Sequence, residues 1–306
     1  MLSYIFKRLL ALIPVGLGVL WIVCFLIHVI PGDPVDTILG EYATSEEKLL
    51  LKKQLGLDQS LLEQYLHYVG AVVKGDLGQS LIYKRPVAAL LWERCLPTCE
   101  LAFLAVLLAS LLSLPLGVLA ALFRGTIVDF LAMGFSMLGV VVPNFWLGPL
   151  LILFFSLKLG WLPVSERAGP LSYVLPTCTL ALGLSAFLSR ITRSAVLDVL
   201  QEDYIRTARA KGQHLWGILW GHVLKNASIP IVTVLSLQFG VLLTGAVISE
   251  MIFDWPGLGT LMLGALGNRD YPLLQGCVLC FACSYLVVNV LTDIILATLD
   301  PRIRLS

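Results

Sequence analysis

The stretch Tyr204–Gly212 reads YIRTARAKG and places three cationic side chains in nine residues, between two long apolar segments. Acidic residues precede it, from Asp198 to Asp203, and basic residues end it, an order that complements the dipole of a helix. Ile205 and Ala208 continue an apolar helical spacing, and Gly212 permits a left-handed helix end. We therefore predict a short amphipathic helix. Because scattered arginines would suffice to fix membrane topology, an ordered helix favours a docking element.

The composition indicates an integral membrane protein. Of 306 residues, 58% are hydrophobic and 13% are charged, whereas soluble domains are about a quarter charged. The mean hydropathy is +0.89. The formal net charge of +1 gives no sign of a nucleic-acid partner, so none is expected, and any electrostatic role has to be local.

Six weakly charged runs approach or exceed the roughly 20 residues that cross the hydrocarbon core of a bilayer. The runs lack the alternation of barrel strands, so we predict an all-α polytopic membrane protein with six transmembrane helices. The first run follows Lys7 and Arg8 as a signal peptide would, but its length favours a retained anchor. The runs are Leu9–Ile30, Leu101–Phe123, Phe130–Leu157, Leu171–Ser189, Ala227–Ser249 and Gly276–Leu299.

The distribution of cations predicts the orientation of the chain. Short loops on one side carry eleven lysines and arginines, six of them in the loop 190–226, against three on the other side. Because short cytoplasmic loops are enriched in these residues, both termini and the basic loop are predicted to be cytoplasmic. The chain then divides into residues 1–30 with the first helix, an extracytoplasmic helical segment at 31–100, and a five-helix core at 101–306.

Two segments depart from simple spans. Pro143, Asn144 and Pro149 interrupt the long third run, so this span is expected to be bent or partly broken. A break that lines a pathway and a structural kink are both consistent with this pattern. After the fifth run, EMIFDWPGLG is expected to be a re-entrant or interfacial element in which Trp255 anchors at the lipid headgroups.

Seven cysteines are present, and CVLCFAC at Cys277–Cys283 has ligand-like spacing. No fourth cysteine lies nearby in this apolar run, so packing is favoured over metal binding. No metal or cofactor is expected to bind this chain. Cys95 and Cys99 flank Pro97 and are near enough to form a disulfide, although free thiols are favoured.

The basic stretch also carries a family resemblance. DYIRTARAKG followed by HVLKNASIPIVT resembles the cytoplasmic loop of binding-protein-dependent ABC importer permeases, in particular the dipeptide, oligopeptide and nickel subfamily. Within it the chain is similar to the first of two permease subunits, and the resemblance covers essentially the whole chain. Eight further segments of the chain resemble the same group, in the same order: IPGDP, LGLDQSLLEQYLHY, GDLGQSL, RPVAALLWERCLPTCEL, VPNFWLG, EMIFDWPGLG, NRDYPLLQG and LDPRIR.

The resemblance implies a type I ABC importer permease fold in the bacterial cytoplasmic (inner) membrane. It implies as partners a second homologous permease subunit, one or two cytoplasmic ABC ATPase subunits and an extracytoplasmic substrate-binding protein. ATP and Mg would be used by the ATPase subunits, since this sequence has no GxxxxGK[ST] phosphate loop, and the chain itself is not expected to be an enzyme. The implied substrates are dipeptides, oligopeptides, nickel chelates or related small solutes.

The resemblance further implies that the basic helix is a coupling helix that sits in a cleft of the ATPase subunit. The general importer loop reads Glu-Ala-Ala, three residues, then Gly. Aligned on Gly212, its first position falls on Arg206, so no role of that glutamate carries over. The residues implied in docking are Asp203, Tyr204, Arg206, Thr207, Ala208, Arg209, Lys211 and Gly212.

Polar residues in or beside the apolar runs are candidates for lining a translocation pathway, because burying them in lipid is costly. Asp293 is the only carboxylate well inside a run, but pairing with Arg302 or Arg304 is the favoured explanation for it. The candidates are Asn144, Gln238, Glu250, Asn289 and Asp293.

A secondary transporter driven by an ion gradient is the main alternative. Such folds usually carry paired repeats with broken helices and buried ionisable groups, whereas this sequence shows one acid near the end of a run and no evident repeat. A structural membrane protein would explain the apolar runs but not the basic helix. Co-purification of an ATPase would separate the importer from both alternatives.

Overall fold

The fold is that of a helical bundle. The structure is a computed structural model that describes residues 2–29, 44–54, 58–164, 167 and 169–299. Within these ranges the regular structure is helical, and the only β pairing is an isolated bridge between Gln79 and Pro86. The prediction of an all-α protein is confirmed for the described residues.

The α-helices, in chain order, are α1 (Leu2–Val29), α2 (Ser45–Gln54), α3 (Leu61–Val73), α4 (Val87–Leu122), α5 (Ile127–Val141), α6 (Asn144–Leu151), α7 (Val174–Leu200), α8 (Asp203–Ala210), α9 (Leu215–Ile218), α10 (Leu224–Gly245), α11 (Val247–Ile252), α12 (Leu258–Gly267) and α13 (Tyr271–Leu299). π-Helical turns extend α6 at Ile152–Lys158 and join α9 to α10 at Leu219–Val223. A 3-10 turn at Pro170–Tyr173 leads into α7.

Four helical stretches of the described chain are long and apolar enough to cross a membrane on their own: Val87–Leu122, Pro170–Leu200, Leu215–Thr244 and Tyr271–Leu299. Ile127–Val141 and Asn144–Lys158 qualify only as a pair, with a bend of 97° between them, so the expected break in the third run is present. Leu12–Phe25 in α1 is apolar but shorter. The described residues thus supply four spans, or five with the bent pair, and a count of six is not confirmed.

Several helices run beyond the predicted apolar runs. α4 begins at Val87 rather than Leu101, and α13 begins at Tyr271 rather than Gly276. Charged residues end an apolar run without ending a helix: Glu93 of α4 pairs with Arg85. Hydropathy therefore predicts the apolar part of each helix and misses the polar turns that extend the helix beyond it.

The described part of the segment 31–100 contains α2, α3 and the start of α4. Helices are present in this segment as predicted, and a capping box between Ser60 and Glu63 fixes the first turn of α3. The hydroxyl of Tyr65 donates a hydrogen bond to the carbonyl of Leu17 at 3.1 Å, and the Tyr65 ring meets Trp21 edge to face. These contacts attach α3 to α1.

The most extensive helix contact joins α4 to α7 and rests on small side chains. A Cβ added at Gly117 would lie 2.5 Å from Cβ of Thr192 and 2.7 Å from the carbonyl oxygen of Ser189, so the two backbones are close. Small residues permit such an approach in lipid, where apolar burial gives little drive for helix association. Buried small residues occupy every fourth position of α4: Ala105, Ala109, Ser113, Gly117 and Ala121.

The two ends of α4 belong to different parts of the molecule. Near its end, Ala121 lies in an apolar cluster with Ile205 and Ala208 of α8. At its start, Val87 lies in a cluster with residues of α12 and α13. A helix rises by 1.5 Å per residue, so Val87 and Ala121 are about 50 Å apart along α4. α8 therefore lies at one face of the bundle, and α12 lies at the opposite face.

Candidate functional site

The predicted basic helix is present as α8. Gln201 and Glu202 separate it from α7, and Glu202 has the extended backbone of an N-cap residue. Because the chain turns there, Asp198 lies in the last turn of α7 and is separated from the basic helix. Asp203 is the acidic residue of its first turn.

The end of α8 follows the expected left-handed geometry. Gly212 has a φ of +77°, and its N–H donates to the carbonyl of Arg209 at 2.9 Å. The N–H of Gln213 donates to the carbonyl of Ala208 at 3.2 Å. This pair of hydrogen bonds is a Schellman motif, which closes the helix and turns the chain away from it.

One side of α8 is anchored to the protein's own core. Ile205 is fully buried and Ala208 is 9% exposed, in a cluster with Val223 and other apolar residues of α7, α9 and α10. The phenolic oxygen of Tyr204 accepts a hydrogen bond from Nδ2 of Asn226 at 2.9 Å. These contacts hold α8 against the ends of α7 and α10.

The opposite side of α8 faces outward and carries the charges. Arg206 and Asp203 form an ion pair at 3.4 Å with side chains that are 73% and 95% exposed, and such a pair has little strength in water. The cations therefore stay available to a partner. The outward face of α8 consists of the exposed residues Asp203, Arg206, Thr207, Arg209 and Ala210, with Lys211 following the helix.

The placement of Ala208 changes its interpretation. The resemblance implied Ala208 in docking, but its side chain lies on the inward side, because the apolar spacing that includes Ile205 packs on the core. Its small size serves the packing of this chain. Ala210, which was not among the residues implied in docking, lies on the outward face.

The pathway candidates occupy three places. Gln238 of α10 and Asn289 and Asp293 of α13 are half-buried on two helices that pack along each other. Asp293 is engaged by an interaction in the structure, while Arg302 and Arg304 lie outside the described residues. Asn144 lies exposed at the first turn of α6, beside the break in the third span.

Glu250 is buried and holds two helices together; we call Glu250 and its hydrogen-bond donors Thr98, Gly259 and Thr260 the buried clamp. Its side chain is 1% exposed and accepts hydrogen bonds from Oγ1 of Thr98 at 2.7 Å, from the N–H of Gly259 at 2.8 Å and from the N–H of Thr260 at 3.1 Å. Both carboxylate oxygens are thus occupied by protein donors. Glu250 of α11 thus joins the first turn of α12 to Thr98 of α4.

Trp255, close to the buried clamp, does not lie at the lipid headgroups as expected. This side chain is 1% exposed, and its indole N–H donates to the carbonyl of Pro97 at 3.1 Å. The expected headgroup anchor is wrong, because Glu250 folds the loop onto α4 and takes the indole into the protein. The backbone N–H of Trp255 also donates to the carbonyl of Glu250 at 2.8 Å.

Two further carboxylates were missed by the sequence analysis. Asp129 of α5 pairs with Arg193 of α7. Asp270, 1% exposed, accepts hydrogen bonds from Oγ of Ser80 and from the N–H of Leu81. Asp129 directly precedes the apolar run from Phe130, and Asp270 directly precedes α13, so a carboxylate at a helix start could have been suspected at both places.

The cysteines are free thiols. Cys277 is buried in the cluster that contains Val87, and Sγ of Cys95 lies 3.8 Å from Sγ of Cys99. In the ranges that the structure describes, no three His, Cys, Asp or Glu residues come together as a metal site. Cys277 therefore packs as a small apolar side chain.

Comparison with known sequence families gives two matches that together cover most of the chain. The family described as "Binding-protein-dependent transport system inner membrane component" matches residues 113–305. The family described as "Binding-prot-dependent transport system membrane comp, N-term" matches residues 1–98.

Curated relatives and solved structures agree with these matches. The chain is 41% identical over 304 residues to the glutathione transport system permease protein GsiC of Escherichia coli O6:H1 and 42% identical to the protein of that name from Salmonella typhimurium, with 99% of both chains covered each time. Chains from two inward-facing crystal forms of the MetNI methionine ABC transporter give TM-scores of 0.57 and 0.58. They are 18% and 19% identical, and the likeness covers 69% of this chain and 96% of theirs. At this identity the likeness shows the fold.

Proposed function

Because the chain belongs to the family of binding-protein-dependent transport system inner membrane components, as an ABC importer permease of the peptide and nickel group, we propose that it forms half of the translocation pathway for a short peptide or a related small solute. The relatives named as glutathione permeases support a peptide-like substrate. Dipeptides, oligopeptides and nickel chelates belong to the same proposal. A second homologous permease subunit completes the pathway.

The two-sided character of α8 is the observation that carries this proposal. Ile205 and Ala208 fasten the helix to the core, while Arg206, Arg209 and Lys211 point away from it. A helix that only fixed topology would need no such anchoring. The outward face of α8 seats in a cleft of a cytoplasmic ATPase subunit, and one or two such subunits belong to the complex.

The partners divide the work. ATP and Mg bind to the ATPase subunits, and this chain performs no bond chemistry. When ATP closes the ATPase dimer, α8 is carried with it, and the cluster that joins Ile205 to Ala121 passes the motion to α4 and α7. The bundle then alternates between inward-facing and outward-facing states. An extracytoplasmic binding protein delivers the solute to the opposite face.

The proposed topology has six transmembrane helices. The four independent spans and the bent pair make five, and α1, with its apolar stretch Leu12–Phe25, makes the sixth. Both termini and α8 are cytoplasmic in the bacterial inner membrane, which the excess of cations in that set of short loops supports. The pathway itself is lined by Asn144, Gln238, Asn289 and Asp293.

The decisive experiment compares substitutions on the outward face of α8 with the removal of a cation outside it. Arg209→Gln and Ala210→Trp are expected to lower ATPase association and uptake at normal membrane abundance, because they alter the docking surface without touching the core. The matched control is Lys225→Gln, which removes an exposed cation of the same loop outside α8. The readouts are co-purification of the ATPase subunits and solute-stimulated ATP hydrolysis of the assembled complex.

If Lys225→Gln impairs the complex as strongly as Arg209→Gln, the loop acts through its total charge and the docking role fails. If both outward-face variants couple normally, the role of α8 fails as well. Uptake by the isolated chain in liposomes under a proton or sodium gradient would instead support a secondary transporter.

A further inference from the structure

A polar cavity lies at the face of the bundle opposite α8. Its volume is about 440 Å³, and it opens between the start of α4, the loop after α11 and α12. Arg94, one of its lining residues, lies about 40 Å along α4 from Ala121, which contacts the cluster of α8. We call this space the outer cavity. Its lining includes Tyr83, Arg94, Arg167, Asp254, Trp255 and Thr260.

The outer cavity is lined by one cation and one anion that form no ion pair with the described residues. Arg167 pairs with Glu100 at 2.6 Å and donates to the hydroxyl of Tyr173 at 2.7 Å, so its charge is satisfied. Arg94 is half-buried, and Asp254 is exposed. Among the described residues neither Arg94 nor Asp254 takes part in an ion pair. Arg94 interacts with the charge of Glu250 at longer range, but it is not among the hydrogen-bond donors of that carboxylate, which are Thr98, Gly259 and Thr260.

Asp254 is held in place by a strained backbone. Its φ is +48°, in the left-handed region that aspartate and asparagine tolerate better than most side chains. The next residue, Trp255, is fixed on both sides, because its N–H donates to Glu250 and its indole donates to Pro97. Backbone strain that is maintained by surrounding contacts is typical of ligand sites. The position of Asp254 at the cavity is therefore set by the buried clamp.

We propose that the outer cavity binds the terminal charges of a short peptide, with the carboxylate at Arg94 and the ammonium at Asp254. A guanidinium matches a carboxylate in geometry as well as charge, and a cation and an anion that form no ion pair of their own suit a zwitterion. The volume lies within the roughly 300–1,000 Å³ of small-molecule sites. Pro256, which is half-buried, is an apolar lining residue of the cavity that peptide side chains can contact. The inference rests on the proposed function, since it names the substrate class that this face receives.

The test uses three probes that differ only at their termini: trialanine, N-acetyl-trialanine, which lacks the ammonium, and trialanine amide, which lacks the carboxylate. Binding is measured by calorimetry on the permease and ATPase complex in nanodiscs, without ATP and without the binding protein. The unmodified complex should bind trialanine about tenfold or more tightly than either blocked peptide, since each block removes a charged hydrogen bond.

The variants assign each terminus to a residue. Arg94→Gln should bind trialanine and trialanine amide equally, and Asp254→Asn should bind trialanine and N-acetyl-trialanine equally. Asparagine tolerates the left-handed backbone, so Asp254→Asn changes the charge and keeps the loop. Glu93→Gln is the control, because this exposed neighbour pairs with Arg85 outside the cavity and should leave all three affinities unchanged.

Absence of trialanine binding, or unchanged discrimination in both variants, would overturn the inference. So would a loss of uptake in Arg94→Gln with unaltered peptide binding, which would make the cavity a contact for the binding protein. Uptake by the complete importer separates this result from the proposed function. If trialanine is imported while discrimination is unchanged, only the cavity fails. If discrimination follows the variants while no peptide is imported, only the proposed transport function fails.

Discussion

Arg193 holds Asp129 through two parallel hydrogen bonds, from Nε to Oδ1 at 2.7 Å and from Nη2 to Oδ2 at 2.8 Å. Asp129 also accepts the N–H of Gly125 at 3.0 Å. The two side chains are 27% and 10% exposed, so the pair is partly shielded from water. It fixes the start of the bent span to the helix that leads into α8.

Asp129→Asn should therefore lower the free energy of unfolding by about 1–3 kcal/mol, because it leaves the guanidinium of Arg193 without its countercharge. The control is Asp203→Asn, which breaks an exposed pair with Arg206 and should change stability by less than about 1 kcal/mol. Thermal unfolding of the detergent-purified chain measures both. An equal shift in the two variants would show that the shielding of Asp129 has no effect.

Gly257→Ala should disrupt the clamp around Glu250. An added Cβ would overlap the carboxylate of Glu250, and overpacking of this kind costs about 1–3 kcal/mol. Gly264→Ala, in the neighbouring helix α12, meets open space and should be neutral or stabilising. Hydrogen exchange at the amides of Gly259 and Thr260 should be faster in Gly257→Ala alone. Unchanged protection there would mean that the loop does not depend on the clamp.

Gly212→Val should impair coupling, whereas Gly212→Asn should retain it. The backbone at this position has a φ of +77°, which costs a residue with a Cβ about 1–2 kcal/mol and which asparagine tolerates best. Solute-stimulated ATP hydrolysis and membrane abundance of the assembled complex are the measurements. Full activity of Gly212→Val, or equal loss in both variants, would separate the function of α8 from its left-handed end.

Lys74→Cys and Lys211→Cys should be labelled from opposite sides of the membrane. Both lysines are exposed, one after α3 and the other after α8, and the loop cations predict an outer and a cytoplasmic position. A membrane-impermeant maleimide applied to spheroplasts of a Cys283→Ser background should reach only Lys74→Cys. Labelling of both positions from outside would refute the orientation.

The helical content and α8 could be predicted because each depends on a local pattern. Apolar runs predict the membrane-crossing parts of α4, α7, α10 and α13. The break at Pro143 follows because proline has no backbone N–H and disrupts a helix. The spacing of Ile205 and Ala208 indicates an amphipathic helix. It does not say which side a partner meets, so Ala208 was grouped with the docking residues.

Long-range contacts were not predictable from local patterns. Nothing near Glu250 in the sequence indicates that Thr98, 152 positions earlier, donates to its carboxylate. Trp255 next to a Pro-Gly turn has the composition of an interfacial anchor, and only the fold shows that Pro97 accepts its indole N–H. Likewise Asp129 lay just outside a predicted span, and its partner Arg193 was counted among loop cations.

The seam of small residues between α4 and α7 has a mechanical consequence. At Gly117 there is no room even for a Cβ beside Thr192 and Ser189, so the two backbones are in direct contact there. No long side chain lies between them at this point that could change its rotamer and absorb a displacement. α4 and α7 should therefore move together as one rigid body, with α8 packed near one end. A tilt of about 5° over a length of about 50 Å shifts the far end by about 4 Å. A small movement of α8 is thereby enlarged at the outer cavity.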